Sequence, residues 1–280
     1  MKVALIQMNA TSDKSRNIVR AVDLVKEAIA CQSRFVLLPE VFNFRGVLTQ
    51  SRDIQWIAEP IGGESLRPFM TLAKKHKVFI LAGSVYEKVK GMKKVYNTSV
   101  LIDDHGKIST RYRKIHLFDA IIGKKVIKES KLFASGRKMA IGVVGKFRVG
   151  LSVCYDLRFP QLYKSYARQG AQVLCVPSAF TKATGQAHWE VLLRARAIEN
   201  LCYVLAPNQV GKDGRGIVSY GHSMVVAPWG NILAKASGYQ EEIIYARLDR
   251  VVLSRARKML PQVRRNSKEP LMRDMTTVIM

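Results

Sequence analysis

Three predicted β-strands of this chain each lead to a chemically reactive side chain, and this pattern constrains the fold more than any other feature. An apolar segment at 35–38 leads through a proline to Glu40, and two further predicted strands end at Lys114 and Cys154. A strand is a rigid element, so a side chain at its end is held at the rim of a sheet, where a substrate can reach it. A base, a cation and a nucleophile are therefore each predicted at a strand end.

Strand-like and helical segments alternate along the chain. Strand character is found at 2–7, 35–38, 78–85, 96–103, 107–114, 147–154, 173–177, 203–208, 221–227 and 242–249. Helical spacing or helix-end signals are found at 15–30, 66–75, 160–169, 188–200 and from about 251. A hairpin is predicted around Asp104-His105-Gly106, and such hairpins mixed with βαβ units argue against a simple doubly wound sheet. The pattern predicts one α/β domain with a C-terminal arm.

The composition predicts a large folded core and no membrane segment. Hydrophobic residues make up 48% of the 280 residues, which excludes a disordered chain. No apolar run approaches the roughly 18 residues that a membrane-spanning helix needs. The opening segment at 1–7 is too short for the core of a signal peptide, so it is predicted to be the first strand of a cytoplasmic protein.

The cysteines and histidines do not show the spacing of a metal site. The four cysteines lie at 31, 154, 175 and 202, and the five histidines lie at 76, 105, 116, 188 and 222. They form no Cys-x-x-Cys pair and no Cys/His cluster with zinc spacing. A metal site is therefore not expected.

The chain is strongly basic, with a formal net charge of +25. Such a charge can indicate a nucleic-acid or acidic partner. The lysines and arginines are spread over several runs, however, and no aromatic residues interleave them as a base-stacking platform requires. We expect a generally basic surface with weak, non-specific attraction for polyanions and no specific nucleic acid or membrane partner.

A thiol that attacks an amide needs three kinds of help. Its proton must be removed, the negative charge on the tetrahedral intermediate must be stabilised, and the leaving amine needs a proton. Glu40, Lys114 and Cys154 meet these needs if their strand ends converge. Histidine is the usual partner of a catalytic cysteine, and His188 or His222 could instead form a Cys-His pair. Spacing along the chain leaves both mechanisms open.

The three runs resemble the signature motifs of the nitrilase superfamily of carbon–nitrogen hydrolases. They read Leu-Pro-Glu at 38–40, Arg-Lys-Ile-His-Leu-Phe at 113–118 and Val-Cys-Tyr-Asp-Leu-Arg-Phe-Pro at 153–160. Longer stretches at 177–180, 188–200 and 220–226 resemble the Nit branch of that superfamily. True nitrilases usually carry Trp-Glu after the cysteine, whereas this chain has Tyr155-Asp156. The resemblance therefore implies that the substrate is an amide.

The resemblance also implies roles for single residues. Glu40, Lys114 and Cys154 would form the catalytic triad, and Glu129 would support the lysine and the substrate. Other expected supporting or substrate-binding residues are Tyr155, through its backbone N–H, and three side chains: Arg158, Phe180 and His188. Arg158 would either bind a substrate carboxylate or pair with Asp156 or another acid.

The implied fold is a four-layer αββα sandwich. A carbon–nitrogen hydrolase domain is expected at 1–255, and a basic arm at 256–280 is expected to pack on the domain or on a dimer partner. The implied assembly is a homodimer or a larger homo-oligomer.

The implied reaction is hydrolysis of a small linear, carboxylate-bearing amide through a cysteine thioester, and it requires no metal and no other cofactor. Deaminated glutathione is the expected substrate, and α-ketoglutaramate is the alternative. In a different class of function, the chain would be a non-catalytic polyanion-binding protein on the same scaffold. Such a protein has no need for the intact set of Glu40, Lys114 and Cys154.

Overall fold

A computed structural model describes residues 1–48, 50–122 and 125–261. The strands are β1 (Lys2–Gln7), β2 (Phe35–Leu37), β3 (Phe79–Leu81), β4 (Val85–Glu87), β5 (Tyr96–Ile102), β6 (Ile108–Arg113), β7 (Asp119–Ile122), β8 (Lys125–Lys128), β9 (Ile141–Val144), β10 (Phe147–Leu151), β11 (Val173–Cys175), β12 (Tyr203–Ala206), β13 (Val210–Lys212), β14 (Val218–Tyr220), β15 (Met224–Val226), β16 (Ile232–Lys235) and β17 (Glu242–Arg247). The α-helices are α1 (Lys14–Ala30), α2 (Ser51–Ile57), α3 (Arg67–His76), α4 (Pro160–Arg168), α5 (Lys182–Asn200) and α6 (Arg250–Met259). Two 3₁₀ helices span Glu129–Lys131 and Cys154–Arg158.

Two mixed sheets form the centre of the molecule. The first follows the order β17-β1-β2-β3-β5-β4, with β6 also paired to β5. The second follows the order β16-β15-β12-β11-β10-β9. The neighbours β1-β2-β3 and β10-β11-β12 run parallel, and the outer strands pair antiparallel. Parallel strands in the middle place their carboxyl ends at one edge of each sheet.

The two sheets pack face to face between two helical layers. Alternation along β1 shows this directly, because Val3 and Leu5 join the large core that also holds residues of β10, β11 and β12. Ala4 and Ile6 point the other way and pack with buried residues of α1 and α3. Helices α4 and α5 cover the second sheet with apolar side chains of their own. The predicted αββα sandwich is therefore confirmed.

The predicted strand at 78–85 was wrong in one respect, because two strands, β3 and β4, occupy this region. The break contains Gly83, which has a φ of +37°. A Cβ atom at Gly83 would lie 1.9 Å from the backbone oxygen of Pro39, so the bend allows close approach of the segment that carries Glu40.

The predicted strand at 147–154 also ends earlier than expected. β10 stops at Leu151, and Cys154 is the first residue of a 3₁₀ helix with a φ of +46°. A positive φ is uncommon for a residue with a side chain, and strained backbone of this kind clusters at active sites. The thiol is therefore presented by a sharp turn after the strand.

Other boundaries differ near helix starts and turns. Helix α5 begins at Lys182, six residues before the predicted start at His188. The turn after Ala227 leads into β16, a short strand that the sequence pattern did not reveal. Helix α6 runs through the predicted domain boundary at residue 255, and most of the predicted arm, at 262–280, lies outside the described residues. The division into a domain and an arm stays a prediction.

Candidate active site

Glu40 is held in place by contacts with three neighbouring segments. Its side chain is almost fully buried, and the amide of Asn97 donates a hydrogen bond of 2.9 Å to its Oε1. The side chain of Gln209 donates to the backbone oxygen of Glu40 at 3.0 Å. The next residue, Val41, has a φ of +48°, and its N–H donates to Ser84 Oγ at 3.0 Å. The carboxylate therefore has little freedom to rotate away.

Lys114 connects the two glutamates of the site. It follows β6 directly and is 2% exposed, with Nζ 3.1 Å from Glu40 Oε1. The same nitrogen lies 3.1 Å and 2.9 Å from the two carboxylate oxygens of Glu129. Burial opposes its charge, but Glu129 and Glu40 outweigh that effect and raise the pKa of Lys114 well above its ordinary value. Lys114 is therefore an ammonium ion, paired with both carboxylates.

Glu129 lies in the 3₁₀ helix Glu129–Lys131, after the β7–β8 hairpin. Its Oε2 also accepts a hydrogen bond of 2.6 Å from the backbone N–H of Phe118. This bond connects the hairpin to the segment that follows Lys114. Glu129 therefore contacts both Lys114 and the segment that follows it.

Glu40 is ionised in this environment. Burial alone would raise the pKa of its carboxyl group, but the charges of Lys114 and Arg45 lower it more. Hydrogen bonds from Cys154 and Lys114 act in the same direction, so the pKa of Glu40 lies below its ordinary value. An ionised carboxylate hydrogen-bonded to a thiol can accept its proton.

Cys154 is a neutral thiol at rest. Burial and the charge of Glu40 raise the pKa of Cys154 well above its ordinary value, although Lys114 opposes this shift. Its backbone N–H donates to the Pro177 carbonyl at 3.0 Å, which fixes the turn against the loop after β11. Nucleophilic attack therefore requires proton transfer to Glu40, because little thiolate exists beforehand.

A buried carboxylate, Asp156, connects the Cys154 turn to the Lys114 segment. Its Oδ2 accepts hydrogen bonds from Val153 N at 2.9 Å and from the Tyr112 hydroxyl at 2.8 Å. Its Oδ1 accepts from His116 N at 3.0 Å, and His116 Nδ1 lies 2.7 Å away. Asp156 is fully buried. It therefore fixes the position of Cys154 relative to the end of β6.

These side chains open into a cavity of about 260 Å³. Tyr155, Arg158 and Phe180 line it, together with Glu40, Lys114, Glu129 and Cys154. The guanidinium of Arg158 lies 5.8 Å from the ring centre of Tyr155 and 5.4 Å from that of Phe180. Within the described ranges no acid lies within 4 Å of Arg158, which leaves its guanidinium available to an anion. The predicted pairing of Arg158 with Asp156 is wrong, because Asp156 is occupied by His116, Tyr112 and Val153.

The two histidines of the alternative Cys-His mechanism lie elsewhere. His188 Nδ1 is 3.3 Å from a nitrogen of Arg158, so this histidine contacts the arginine rather than the thiol. His222 stacks on Tyr220, and its Nδ1 lies 2.8 Å from the backbone oxygen of Tyr220. Neither is among the described residues that line the cavity. The geometry favours Glu40 as the partner of Cys154.

Several residues at the site were missed by sequence reasoning. Asn97 and Gln209 hold Glu40 but lie more than fifty positions from it along the chain. Arg45 and Arg215 line the same cavity. The sequence analysis gave Asp156 no role in positioning Cys154, although its place two residues after the nucleophile is a usable signal. The other contacts carry no local pattern, because only the folded chain brings them together.

The ranges that the structure describes also bear on metal ions and membranes. No group of three or more His, Cys, Asp or Glu side chains there is placed to hold a metal ion. None of the helices in those ranges combines the length and the apolar character that crossing a bilayer demands.

Comparisons with known proteins agree with this geometry. Residues 2–258 match the family model described as carbon–nitrogen hydrolase. The human omega-amidase NIT2 is 38% identical over 269 residues, which cover 96% of this chain and 95% of the relative. The human deaminated glutathione amidase is 39% identical over 266 residues, which cover 92% of this chain and 80% of the relative.

A solved structure shows the same fold. Nit3 of Saccharomyces cerevisiae, described as a member of branch 10 of the nitrilase superfamily, superimposes with a TM-score of 0.83 at 34% identity and covers 93% of this chain and 94% of its own. The family match, the identity over nearly the whole chain and the shared fold agree. The chain belongs to the carbon–nitrogen hydrolase family of the nitrilase superfamily and is an amidase-type hydrolase that acts on carbon–nitrogen bonds other than peptide bonds.

Proposed function

We propose that this hydrolase cleaves the amide bond of a small linear substrate that carries a carboxylate, through a thioester on Cys154. Deaminated glutathione is the substrate we put first. The observation that carries the proposal is the convergence of Glu40, Lys114 and Cys154 on one cavity that also presents Arg158. A nucleophile, its base, a cation for the oxyanion and an anchor for a carboxylate are thereby within one site.

The first half of the reaction forms the thioester. Glu40 accepts the thiol proton while the sulfur of Cys154 bonds to the amide carbon, and the carbonyl electrons move to oxygen. The tetrahedral intermediate then collapses, the C–N bond breaks, and the leaving amine takes the proton from Glu40. Glu40 returns to its ionised form, which the charge of Lys114 favours.

The oxyanion of the intermediate needs donors that are already in place. The ammonium of Lys114 supplies one, and its two glutamate partners hold it there. The N–H of Cys154 is already bonded to Pro177, so we assign the second donor to the next N–H, of Tyr155. Both donors would act in a largely buried site, where electrostatic interactions are stronger than in water.

The second half hydrolyses the thioester. Glu40 accepts a proton from water, and the resulting hydroxide oxygen bonds to the thioester carbon. The intermediate expels the Cys154 sulfur, which takes the proton back from Glu40, and the free carboxylic acid product forms. One carboxylate thus acts as base and acid in both halves, which explains why it is hydrogen-bonded to the thiol at rest.

The substrate assignment rests on the charge of the cavity and on the relatives. Two carboxylates and five cations line the cavity: Glu40, Glu129, Arg45, Lys114, Lys128, Arg158 and Arg215. Glu40 and Glu129 are paired with Lys114, so the other cations favour an anionic substrate. The human relatives that are named for deaminated glutathione and for ω-amidase activity are almost equally similar, at 39% and 38% identity. The stretches at 178–180 and 194–199 resemble the deaminated-glutathione subgroup of the Nit branch. α-Ketoglutaramate remains the second candidate substrate.

The test is a direct comparison of the two amides. Wild-type protein and Cys154→Ala are assayed with deaminated glutathione, by release of cysteinylglycine, and with α-ketoglutaramate, by release of ammonia. We expect a higher kcat/KM for deaminated glutathione and loss of both activities in the variant. A higher value for α-ketoglutaramate would assign the second substrate. Mass spectrometry of quenched wild-type reactions should show the acyl adduct on the peptide that contains Cys154.

Two finer predictions accompany this function. We retain a homodimer, or a larger homo-oligomer, and a cytoplasmic location as expectations from the resemblance and from the sequence. Light scattering coupled to size-exclusion chromatography measures the first. A polyanion-binding role on the same scaffold would require tight RNA binding at physiological salt, whereas a basic enzyme should bind RNA weakly and lose that binding as salt rises.

A further inference from the structure

Two arginines share a single carboxylate at one wall of the cavity. Arg45 follows the Glu40 segment, and its NH2 lies 3.0 Å from Asp213 Oδ2. Arg215 donates to the same oxygen from Nε at 3.0 Å and from NH2 at 2.7 Å. Asp213 Oδ1 accepts from the backbone N–H groups of Arg215 and Ile217, which fixes the turn between β13 and β14. We name these three residues, Arg45, Asp213 and Arg215, the arginine cluster.

The arginine cluster has unused hydrogen-bonding capacity. The side chain of Arg45 is 7% exposed, yet its Nε has no hydrogen-bond partner among the described residues. A buried, unpartnered N–H of a charged group is costly unless a ligand pairs with it. Arg215 is 34% exposed and forms part of the cavity lining together with Arg45. The guanidinium of Arg45 is therefore buried with an unpaired N–H group, and the guanidinium of Arg215 reaches the open space of the cavity.

The arginine cluster also has an excess of positive charge. Two guanidinium groups face one aspartate, and burial together with the charge of Arg215 lowers the pKa of Arg45. Glu40 is a further nearby anion, but it is already hydrogen-bonded to Lys114, Asn97 and Cys154. A second carboxylate in the cavity would balance the excess, with the more exposed Arg215 as its direct partner. Guanidinium groups bind carboxylates with favourable geometry.

The arginine cluster and Arg158 have different partners in the same cavity. Arg45 follows Glu40 by five residues, and Arg215 lies in the β13–β14 hairpin, whose Tyr220 N–H donates to the Phe180 carbonyl. Arg158 lies against Tyr155, Phe180 and His188. Cys154 lines the same cavity. A substrate whose amide carbon is at Cys154 therefore meets two separate cationic groups.

We propose that Arg45 and Arg215 form a second anion subsite besides Arg158, so that the preferred substrate is an amide with two carboxylates. The inference rests on the proposed function and narrows it to dianionic amides. Deaminated glutathione has this form, with a 2-oxo acid at one end and a glycine carboxylate at the other. α-Ketoglutaramate has a single carboxylate and would leave one of the two anion sites empty.

The experiment uses three substrates that differ in which carboxylates they carry. They are deaminated glutathione, its analogue with the glycine carboxylate as a primary amide, and its analogue with the 2-oxo acid as a methyl ester. Each is assayed with wild-type protein, Arg45→Gln, Arg215→Gln and Arg158→Gln. Arg16→Gln is the matched control, because Arg16 is an exposed arginine on α1 and its loss lowers the net charge equally. Thermal melting checks that each variant is folded.

We expect Arg45→Gln and Arg215→Gln each to lower kcat/KM for deaminated glutathione by roughly 10- to 100-fold, the range for one lost charged hydrogen bond. The same variants should have little effect on one of the two singly charged analogues, namely the one that lacks the carboxylate bound by Arg45 and Arg215. Arg158→Gln should instead have little effect on kcat/KM for the other analogue. Arg16→Gln should resemble wild type with all three substrates. Arg215→Gln keeps the test valid if Arg45→Gln does not fold, because Arg215 is the more exposed partner.

Equal losses on all three substrates, or no loss on any of them, would overturn the subsite. Failure of folded wild-type protein to cleave any of these amides would instead refute the proposed substrate class. A binding measurement distinguishes failure of the subsite from failure of the proposed substrate class. Titration calorimetry of deaminated glutathione with Cys154→Ala, with and without Arg215→Gln, measures the subsite without turnover. A Kd that is unchanged by Arg215→Gln in this background would also exclude the subsite.

Discussion

Nδ1 of His116 lies 2.7 Å from Oδ1 of Asp156, and this contact joins two segments that are forty residues apart in the chain. His116 follows Lys114 by two residues, and Asp156 follows Cys154 by two residues. The ring of His116 also stacks on Phe159 with ring centres 3.6 Å apart. The relative position of the cation and the nucleophile therefore depends on a buried carboxylate that takes no proton from the substrate in the proposed reaction.

Asp156→Asn should reduce both stability and activity. The amide group cannot accept all four hydrogen bonds, so at least one buried donor loses its partner, at a cost of about 2–3 kcal/mol in the free energy of unfolding. We expect kcat to fall at least about 10-fold with a smaller change in KM, because the nucleophile and the cation are misplaced. Urea unfolding and steady-state kinetics measure the two effects.

Tyr112→Phe is the matched control for Asp156→Asn, because it removes only the hydroxyl that donates to Oδ2. It should reduce stability with a smaller loss in kcat. The rate of iodoacetamide alkylation of Cys154, measured at one pH, should change in Asp156→Asn and stay near wild type in Tyr112→Phe. Equal alkylation rates in all three proteins would mean that Asp156 does not position the thiol.

Cys154→Ala should abolish turnover while the fold remains. The thiol is the only group in the proposed mechanism that forms a covalent bond to the substrate, so we expect a loss of at least about 10³-fold in kcat. Cys31→Ala is the control, because Cys31 is an exposed free cysteine outside the cavity lining. Activity of purified Cys154→Ala near the wild-type level would exclude Cys154 as the nucleophile.

Glu40→Gln and Lys114→Ala should each be nearly inactive, whereas His188→Ala and His222→Ala should keep a measurable rate. Glu40 and Lys114 are hydrogen-bonded to each other at the thiol, and neither histidine lines the cavity. Circular dichroism must show native structure in each variant. The Cys-His mechanism would be supported if a histidine variant were as inactive as Cys154→Ala while Glu40→Gln still turned over substrate.

The value of kcat/KM should fall at low pH and should not change near neutral pH. Burial opposes ionisation of Glu40, but Lys114 and Arg45 outweigh it, so the pKa of Glu40 lies below the usual value of about 4.3. The pKa values of Cys154 and Lys114 lie above their usual values. Activity should therefore be flat from about pH 5 to about pH 8. A transition near pH 6.5 would indicate a histidine base.

The same carboxylate should contribute to stability with a definite sign. A carboxyl group whose pKa is lower in the folded state stabilises that state above its unfolded pKa, and the contribution is lost as pH falls through the folded pKa. Wild-type protein should therefore lose stability below about pH 4, and Glu40→Gln should lose less over that range. Chemical denaturation at several pH values measures the difference.

The basic surface should affect the association of enzyme and substrate more than the chemical step. Exposed charges act over about 8 Å at physiological ionic strength, so added salt weakens the attraction of an anionic amide to a protein with a net charge of +25. We expect kcat/KM to fall as salt rises while kcat changes little. A salt series with deaminated glutathione measures both constants. A fall in kcat that matches the fall in kcat/KM would place the salt effect on the chemical step.

The sequence by itself determined the class of fold and three of the central residues. The apolar runs before Glu40, Lys114 and Cys154 are local patterns. Neighbouring residues in the chain are therefore enough to predict that a strand leads to a reactive side chain. The alternation of strands and helices likewise predicted an α/β domain. The choice of glutamate over histidine as base remained open, because both Glu40 and His188 lie far from Cys154 in the chain.

Only the tertiary structure decided which of these side chains meet. The left-handed turn at Cys154 is enforced by contacts from Asp156 and Pro177 rather than by its own residue type. The pairing of Arg45 with Asp213 joins positions 168 residues apart, and no local pattern reports such a contact. Burial and neighbouring charges, which set the protonation of Glu40, Lys114 and Cys154, exist only after the two sheets have packed together.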